Sequence, residues 1–339
     1  MRLGELVADP GQGAEVEITG ITADSRAVRP GMIFAALRGA RADGAAFVPD
    51  ALAGGAAAIL CDTAATIDAP VVVRDADPRR RLALIAAALA GRQPETIVAV
   101  TGTAGKTSVA EFTRQIFAAS GHKAVSVGTL GVTGSVTEKG GLTTPDPVVL
   151  HQRLAALAAA GVEHVAMEAS SHGIDQRRLD GVRLTAAAFT NITRDHMDYH
   201  PTFEDYAYAK MRLFGEVLPP GGTAVLNADA PLSREIAAVC CARAQKVISV
   251  GEGGETLKLD ALIPSAHGQT LTVLHDGARH MIDLPLVGDF QASNALVAAG
   301  LVMAAGAAAS TPLSWVLLGD DSQRLLVIIT VAGAVFSAW

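Results

Sequence analysis

The stretch Ile97–Phe112, IVAVTGTAGKTSVAEF, limits the fold more than any other part of the chain. A run rich in β-branched residues ends at Thr101, a Gly-rich turn follows, and a helical pattern starts near Lys106. Gly102 and Gly105 permit backbone conformations that other residues avoid. Loop N–H groups and a helix N-terminus converge there on an anion. Lys106 is placed to neutralise β- and γ-phosphate charge, and the Thr107 hydroxyl to bind Mg²⁺. The full G-x-x-x-x-G-K-S/T pattern would have its first Gly where Val100 stands, so this is a shortened G-x-x-G-K-T form. Its position between strand and helix makes Gly102, Thr103, Ala104, Gly105, Lys106, Thr107 and Ser108 the expected grip on a nucleoside triphosphate.

The rest of the chain fits such a fold. Strand-like runs recur at Ile97–Thr101, Ala124–Val127, His164–Met167, Ala186–Thr190, Thr223–Leu226 and Lys246–Val250. Helical patterns lie between several of them, at Ser108–Ala119, Val148–Ala160, Phe203–Phe214 and Pro231–Ala242. Strands alternating with helices predict an α/β fold whose mainly parallel sheet is covered on both faces. Lys258–Leu284 reads as short antiparallel strands and Gln291–Ala305 as a helix. Before this region, residues 1–91 hold apolar runs at Met32–Ala36, Ala57–Leu60 and Val71–Val73, with helical patterns at Ala45–Ala53 and Arg79–Leu89. GRQPET after it reads as a linker. The expected organisation is a small N-terminal α/β domain at 1–91, a central phosphate-loop domain at 92–305, and an atypical apolar tail at 306–339.

A net charge of −7 argues against a general nucleic-acid binder. Cys61, Cys240 and Cys241 form no C-x-x-C pair, so zinc ribbons and disulfide frameworks are not expected, and a reducing cytoplasm fits. The N-terminus lacks the apolar stretch of a signal peptide. The most apolar segment, Leu325–Ala334, is far short of the roughly 20 residues that span a bilayer.

Five segments together carry a family resemblance: DSRAVRPGMIFAALRGARADG, VTGTAGKTS, LTTPDP, MEASSHGIDQRRLDG and FTNITRDHMDYHPTFEDYAYAKMRLF. Over about residues 15–305 the chain resembles the Mur ligases, the amide-forming enzymes of peptidoglycan synthesis. Within them it resembles the branch that adds the third residue of the stem peptide. Folylpolyglutamate synthetases share the loop chemistry but would not be expected to combine the TTPD and SSHG segments.

The resemblance implies a reaction in two steps. ATP phosphorylates the carboxylate of UDP-N-acetylmuramoyl-L-Ala-D-Glu, and the amine of a diamino acid attacks the acyl phosphate. Meso-diaminopimelate is the expected diamino acid. Phosphoryl transfer between anions needs positioning and charge neutralisation. By resemblance the catalytic residues are Lys106, Glu168, His196 and Lys210. Thr107 and Glu168 would hold one Mg²⁺, and His196 would help hold a second. Lys210 would be carbamylated by CO₂ and so become a metal ligand, which requires a neutral amine and hence burial or nearby cations. Asp195, Asp198 and His200 crowd near His196, a spacing that alone could suggest zinc, but a phosphate loop calls for Mg²⁺. Ala23, Ser25 and the turn Ala40, Arg41, Ala42 match uridine-diphosphate contacts. Thr143, Thr144, Ser170, Gln176 and Arg178 match muramoyl-peptide contacts, although TT and SS are also common loop and cap residues. Asn294 matches an adenine contact. A monomer without a membrane span is the default expectation.

Two departures qualify the resemblance. Ala104 stands where the family loop has Asn, which removes a side-chain contact. Residues 306–339 show neither the Gly-Arg turn nor the NPR-type motif of the family's C-terminal domain. The expectation from this is a chain that binds ATP and the muramoyl dipeptide but ligates poorly, as an impaired remnant would.

Overall fold

The computed structural model describes residues 1–39 and 42–306, and the tail expected to be atypical lies almost wholly outside the described residues. The chain forms two compact units. The first comprises Met1–Gln93, Pro145–Ala159 and Gln176–Val182, and the second Pro94–Thr144, Ala160–Asp175 and the chain from Arg183 onward.

The first unit holds α1 (Leu3–Leu6), β1 (Gly20–Thr22), β2 (Met32–Ala35), α2 (Val48–Ala53), β3 (Ala58–Asp62), β4 (Val72–Asp75), α3 (Pro78–Ala90) and a later helix, α5 (Pro147–Ala159). The strands form a parallel sheet in the order β1-β2-β3-β4. Side chains on a strand alternate between faces, and here both faces are buried. Ile33, Ala35, Ala58 and Leu60 join a core with Leu82 and Ile85 of α3. Phe34, Ala36, Ile59 and Cys61 join a second core with Val48 and Ala51 of α2. That is why these strands read as continuous apolar runs. Helix α3 starts where the sequence provides both start signals: the Asp77 side chain accepts from the Arg80 N–H, and Pro78 occupies the first turn.

The second unit holds β5 (Thr96–Thr101), α4 (Lys106–Ala119), β6 (Ala124–Gly128), β7 (Gly131–Gly134), β8 (Glu138–Lys139), β9 (His164–Glu168), α6 (Ser171–Asp175), β10 (Ala186–Phe189), α7 (Phe203–Arg212), β11 (Thr223–Asn227), α8 (Ser233–Ala242), β12 (Lys246–Gly251), β13 (Leu257–Ser265), β14 (Gly268–His275), β15 (Ala278–Leu284) and α9 (Asp289–Ala304). One sheet runs β15-β14-β13-β12-β11-β10-β5-β9-β6-β7-β8. Strands β6, β9, β5, β10, β11 and β12 are parallel, as expected. Val98, Val100, Ala166, Ala186, Ala188 and Val225 point to a core shared with Val109 and Phe112 of α4 and Leu296 and Val297 of α9. Helix α8 packs on β11 and β12.

Three details differ from the sequence reading. Strands β13–β15 are longer than expected, and β13 pairs parallel with β12 before turning antiparallel to β14. The helix expected to reach Phe214 stops at Arg212 and continues as a π turn over Leu213–Val217. Strands β1, β7 and β8 had not been anticipated; with two to four residues each they are too short to show periodicity. Among the described residues no helix is long and apolar enough to cross a membrane.

The chain order of the second sheet places the ligand crevice. Strand β9 lies on one side of β5 and β10 on the other, so the connections after β5 diverge at its carboxyl end. Such a switch point is where open α/β sheets bind ligands, and the phosphate loop begins there.

Candidate functional site

The loop between β5 and α4 is shaped by two glycines. Gly105 has φ +88°, a left-handed conformation, and a Cβ there would lie 2.3 Å from Asn294 Oδ1 on α9. A Cβ on Gly102 would lie 1.9 Å from Thr190 Oγ1, so the loop passes directly against the end of β10. Asn191 then holds it. Its backbone O accepts from Thr103 N at 3.0 Å, its Oδ1 accepts from Ala104 N at 3.0 Å, and its Nδ2 donates to Ala104 O at 3.1 Å. Thr190 Oγ1 also donates to Ala104 O, at 2.7 Å. This refines the sequence reading: the Thr103 and Ala104 N–H groups are committed to Asn191, so the first turn of α4 is left as the anion-facing part of the loop. The first N–H groups of a helix have no intrahelical acceptor and sit at its positive end.

Lys106 Nζ folds back onto Gly102 O at 2.8 Å and Thr103 O at 2.9 Å. Burial pulls its pKa down, opposed by the charges of Glu168 and Asp195. Glu168 ends β9 and is 2 % exposed. Burial raises its pKa, against hydrogen bonds from Thr129 and Thr107 and the charge of Lys106. The Thr129 N–H donates to Oε1 at 2.8 Å and the Thr129 hydroxyl to Oε2 at 3.3 Å. A Cβ on Gly128 would lie 2.0 Å from Glu168 Oε1, so only glycine allows β6 to lie against this carboxylate. Thr107 and Glu168, separated by 61 positions, are thus joined by a side-chain hydrogen bond.

The segments singled out as LTTPDP and MEASSHG also meet here. Thr143 Oγ1 lies 3.0 Å from Thr129 Oγ1. Buried Thr144 donates to Glu168 O and accepts from the Ser170 N–H at 3.0 Å and the Ser170 hydroxyl at 3.1 Å. Ser170 Oγ accepts from Gly173 N, as a cap residue does. Gln176 and Arg178 belong to the first unit, where Arg178 Nη2 donates to Gln176 Oε1 at 2.6 Å.

Lys210 is 1 % exposed, although it sits on a helix that reads as amphipathic. Its Nζ lies 4.3 Å from the centre of the Tyr206 ring, and the Tyr206 hydroxyl lies 2.9 Å from Thr103 Oγ1 in the loop. Burial, with the nearby charge of Lys106, depresses the Lys210 pKa to about 6, against the pull of Asp195. Burial thus favours the neutral amine over the ammonium. His196 adopts φ +56° and takes its N–H to Asp195 Oδ1 at 2.8 Å. Its ring lies 6.0 Å from that of Tyr206 and 5.1 Å from that of His172. Nearby His200 is buried, with an Nε2 that meets no hydrogen-bond partner among the described residues. Asp198 lies in the same turn.

Thr129, Thr190, Asn191, Tyr206 and Asp195 were not assigned roles from the sequence. The last four lie inside segments already singled out, but only the fold reveals what they touch.

In the first unit, Ala23 and Ser25 follow β1, and Ala42 lies in the turn after β2, all at the carboxyl edge of the parallel sheet. Asp24 caps a short 3-10 turn over Ser25–Ala27. Ala40 and Arg41 lie outside the described residues. A cleft of about 520 Å³ opens after β2, with Arg38, Asp43, Asp62 and Arg79 among its walls.

Comparison with known proteins gives the family. Residues 100–302 match the Mur ligase middle domain, and residues 17–100 match the Mur ligase family, catalytic domain. A UDP-N-acetylmuramoyl-L-alanyl-D-glutamate--2,6-diaminopimelate ligase of Rhizobium meliloti is 54 % identical over 328 residues, covering 96 % of this chain and 68 % of its own. That of Agrobacterium fabrum is 53 % identical, covering 94 % and 66 %. A solved ligase of the same name superposes with TM-score 0.82 at 28 % identity, covering 94 % of this chain and 65 % of that one. The chain spans about two thirds of the length of these relatives. A folylpolyglutamate synthetase bound to AMPPCP shares the fold at TM-score 0.56 and 16 % identity. With both units matched in order, and the buried carboxylate and lysine standing beside the phosphate loop, the chain belongs to the Mur ligase family.

Proposed function

We propose that the chain carries the nucleotide and acceptor sites of an ATP-dependent amide ligase that adds a diamino acid, meso-diaminopimelate, to UDP-N-acetylmuramoyl-L-Ala-D-Glu. The observation that carries this reading is that Lys106, Thr107, the buried Glu168 at the end of β9 and the buried Lys210, linked to the loop through Tyr206, stand around the turn after β5. The names of the relatives support the substrate assignment.

ATP lies with its phosphates on the first turn of α4. Lys106 leaves the Gly102 and Thr103 carbonyls and neutralises the transferring phosphoryl group. Asn294, beside Gly105, contacts the adenine. A carboxylate oxygen of the D-Glu residue attacks the γ-phosphorus and ADP departs. The incoming amine then attacks the acyl carbon, loses a proton, and phosphate leaves. Ser25 and Ala42 of the first unit would meet the uridine-diphosphate part of the substrate, and Thr143, Thr144 and Ser170 of the second unit its muramoyl peptide.

The donors suit Mg²⁺. Thr107 supplies a hydroxyl and Glu168 a buried carboxylate, hard oxygen ligands of the kind Mg²⁺ prefers. Bound Mg²⁺ would supply charge neutralisation between the two anions. His196 and the carbamate of Lys210 complete the proposed ligand set. That carbamate forms when the neutral amine adds to CO₂ with loss of a proton.

The test is ADP formation by the purified chain with ATP, the muramoyl dipeptide and diaminopimelate. ADP release that depends on the muramoyl dipeptide is expected. ADP release indifferent to it, together with no binding of the uridine nucleotide, would leave only a generic phosphotransferase and overturn the reading.

A further inference from the structure

At the opposite end of β9 from Glu168 lies a cluster that the ligase reading does not use. His122 sits in the turn between α4 and β6, Glu163 immediately precedes β9, and His164 is its first residue. One ring nitrogen of each histidine and one carboxylate oxygen of Glu163 lie within 4.8 Å of one another. The two imidazole centres are 4.1 Å apart, and His122 Nδ1 is 3.7 Å from Glu163 Oε2. His164 is 7 % exposed, and its buried Nδ1 meets no hydrogen-bond partner among the described residues. A buried polar nitrogen left unpaired is uncommon and asks for an occupant.

The geometry points to a site for a borderline divalent cation of the Zn²⁺ class, held by His122, Glu163 and His164 at the edge of the central sheet away from the phosphate loop. Two neutral imidazoles and one carboxylate form a familiar three-ligand set that keeps a fourth position for water. Imidazole donors select against Mg²⁺, so the proposed ligase metal does not compete. Burial and the neighbouring His122 hold the His164 ring neutral down to about pH 4, which keeps its lone pair available. Ligand atoms around tetrahedral zinc stand about 3.4 Å apart, given bonds of roughly 2.0–2.1 Å. Closing the cluster therefore takes movement of about 1 Å, and the half-exposed His122 and Glu163 side chains can supply it.

The backbone under the cluster is already fixed. Ala124 of β6 pairs with His164 of β9. Lys123 O accepts from Glu163 N and His164 N, and Lys123 N donates to Glu163 Oε2 at 3.1 Å. Phe117 of α4 packs on His164 with ring centres 4.5 Å apart and shields it from water. A cation here would clip the far end of the phosphate-loop helix to β9, and would stabilise the fold by binding only the folded chain.

The experiment is Zn²⁺ uptake and thermal melting of the full chain in excess Mg²⁺, repeated for His122→Ala and Glu163→Gln. Both variants lie on the surface and far from the phosphate loop, so they should fold. The wild type is expected to bind one more Zn²⁺ per chain than His122→Ala, and added Zn²⁺ should raise the melting temperature of the wild type but not that of His122→Ala. Glu163→Gln should weaken this binding by about tenfold or more. Substituted Co²⁺ should give a visible absorption band that His122→Ala lacks. Equal Zn²⁺ stoichiometry and an equal Co²⁺ spectrum in wild type and His122→Ala would assign any binding to other histidines and overturn the proposal. So would a wild type that takes up no Zn²⁺.

Discussion

Lys210 shows how burial changes a side chain's chemistry. Exposed on a helix it would hold its proton to pH 10 or so; enclosed here, beside Lys106, its pKa is about 6. The unfolded chain therefore binds a proton that the folded chain does not, across the window from about pH 6 up to the ordinary lysine range. Stability should rise with pH through that window, because the unfolded state binds more protons. Lys210→Met removes the penalty, so in CO₂-free buffer its denaturant midpoint should exceed that of wild type at pH 7 and converge with it towards pH 10. A constant gap between the two would show that Lys210 does not titrate in this way. The same variant should lose activity, since no carbamate can form. Gly128 makes the complementary point. A methyl group there meets Glu168 Oε1 at 2.0 Å, so Gly128→Ala should cost about 1–3 kcal/mol of stability. It should also lower kcat at least tenfold by displacing the carboxylate, with little change in KM for the uridine nucleotide; unaltered kcat would separate Glu168 from the chemistry. Lys106 and Thr107 were legible in the sequence because a phosphate loop is a local pattern. Thr129 and Tyr206 were not, because each acts on a partner tens of positions away and no local spacing reports that contact.

Elements bring these residues together through the ends of adjacent strands. Val100 of β5 is in register with Glu168 of β9, and Thr101 with Phe189 of β10. The loop after β5 is thus flanked by the Glu168 carboxylate on one side and by Thr190 and Asn191 on the other. The clamp from Asn191 holds the loop backbone in place at Ala104. Asn191→Ala should free the Ala104 peptide and raise KM for ATP by about thirtyfold, the effect of losing two hydrogen bonds of roughly 1 kcal/mol each. Measured ATP affinity within twofold of wild type would show that the loop holds its shape without the clamp. The parallel strands were legible because burial on both faces writes them as unbroken apolar runs. The short strands β1, β7 and β8 were hidden because their few residues leave no period to detect. The merging of α5 with the first unit was hidden for another reason: helical periodicity shows which face is buried but not against which sheet.

At the scale of the molecule, the net charge of −7 did not exclude a ligand with several phosphates, because binding is set by the local field at α4 and Lys106. The two units have separate cores, and the proposed function gives each its own nucleotide. Hydrogen exchange can test that division, since a ligand suppresses the local opening of the segment that binds it. A non-hydrolysable ATP analogue with Mg²⁺ should protect amides around residues 102–108 and 190–191 in the second unit, leaving those around 22–28 unchanged. Uridine diphosphate should protect residues 22–28 and 36–45 in the first unit, where Ser25 and the Arg38–Asp43 turn lie, and leave the phosphate loop exchanging freely. Salt sharpens the comparison. The ATP effect relies on a buried lysine and a helix terminus, which are weakly screened, so it should survive an ionic strength that erases purely surface charge contacts. Protection of the phosphate loop by uridine diphosphate alone would reassign that nucleotide to the second unit, and with it the roles of Ala23, Ser25 and Ala42.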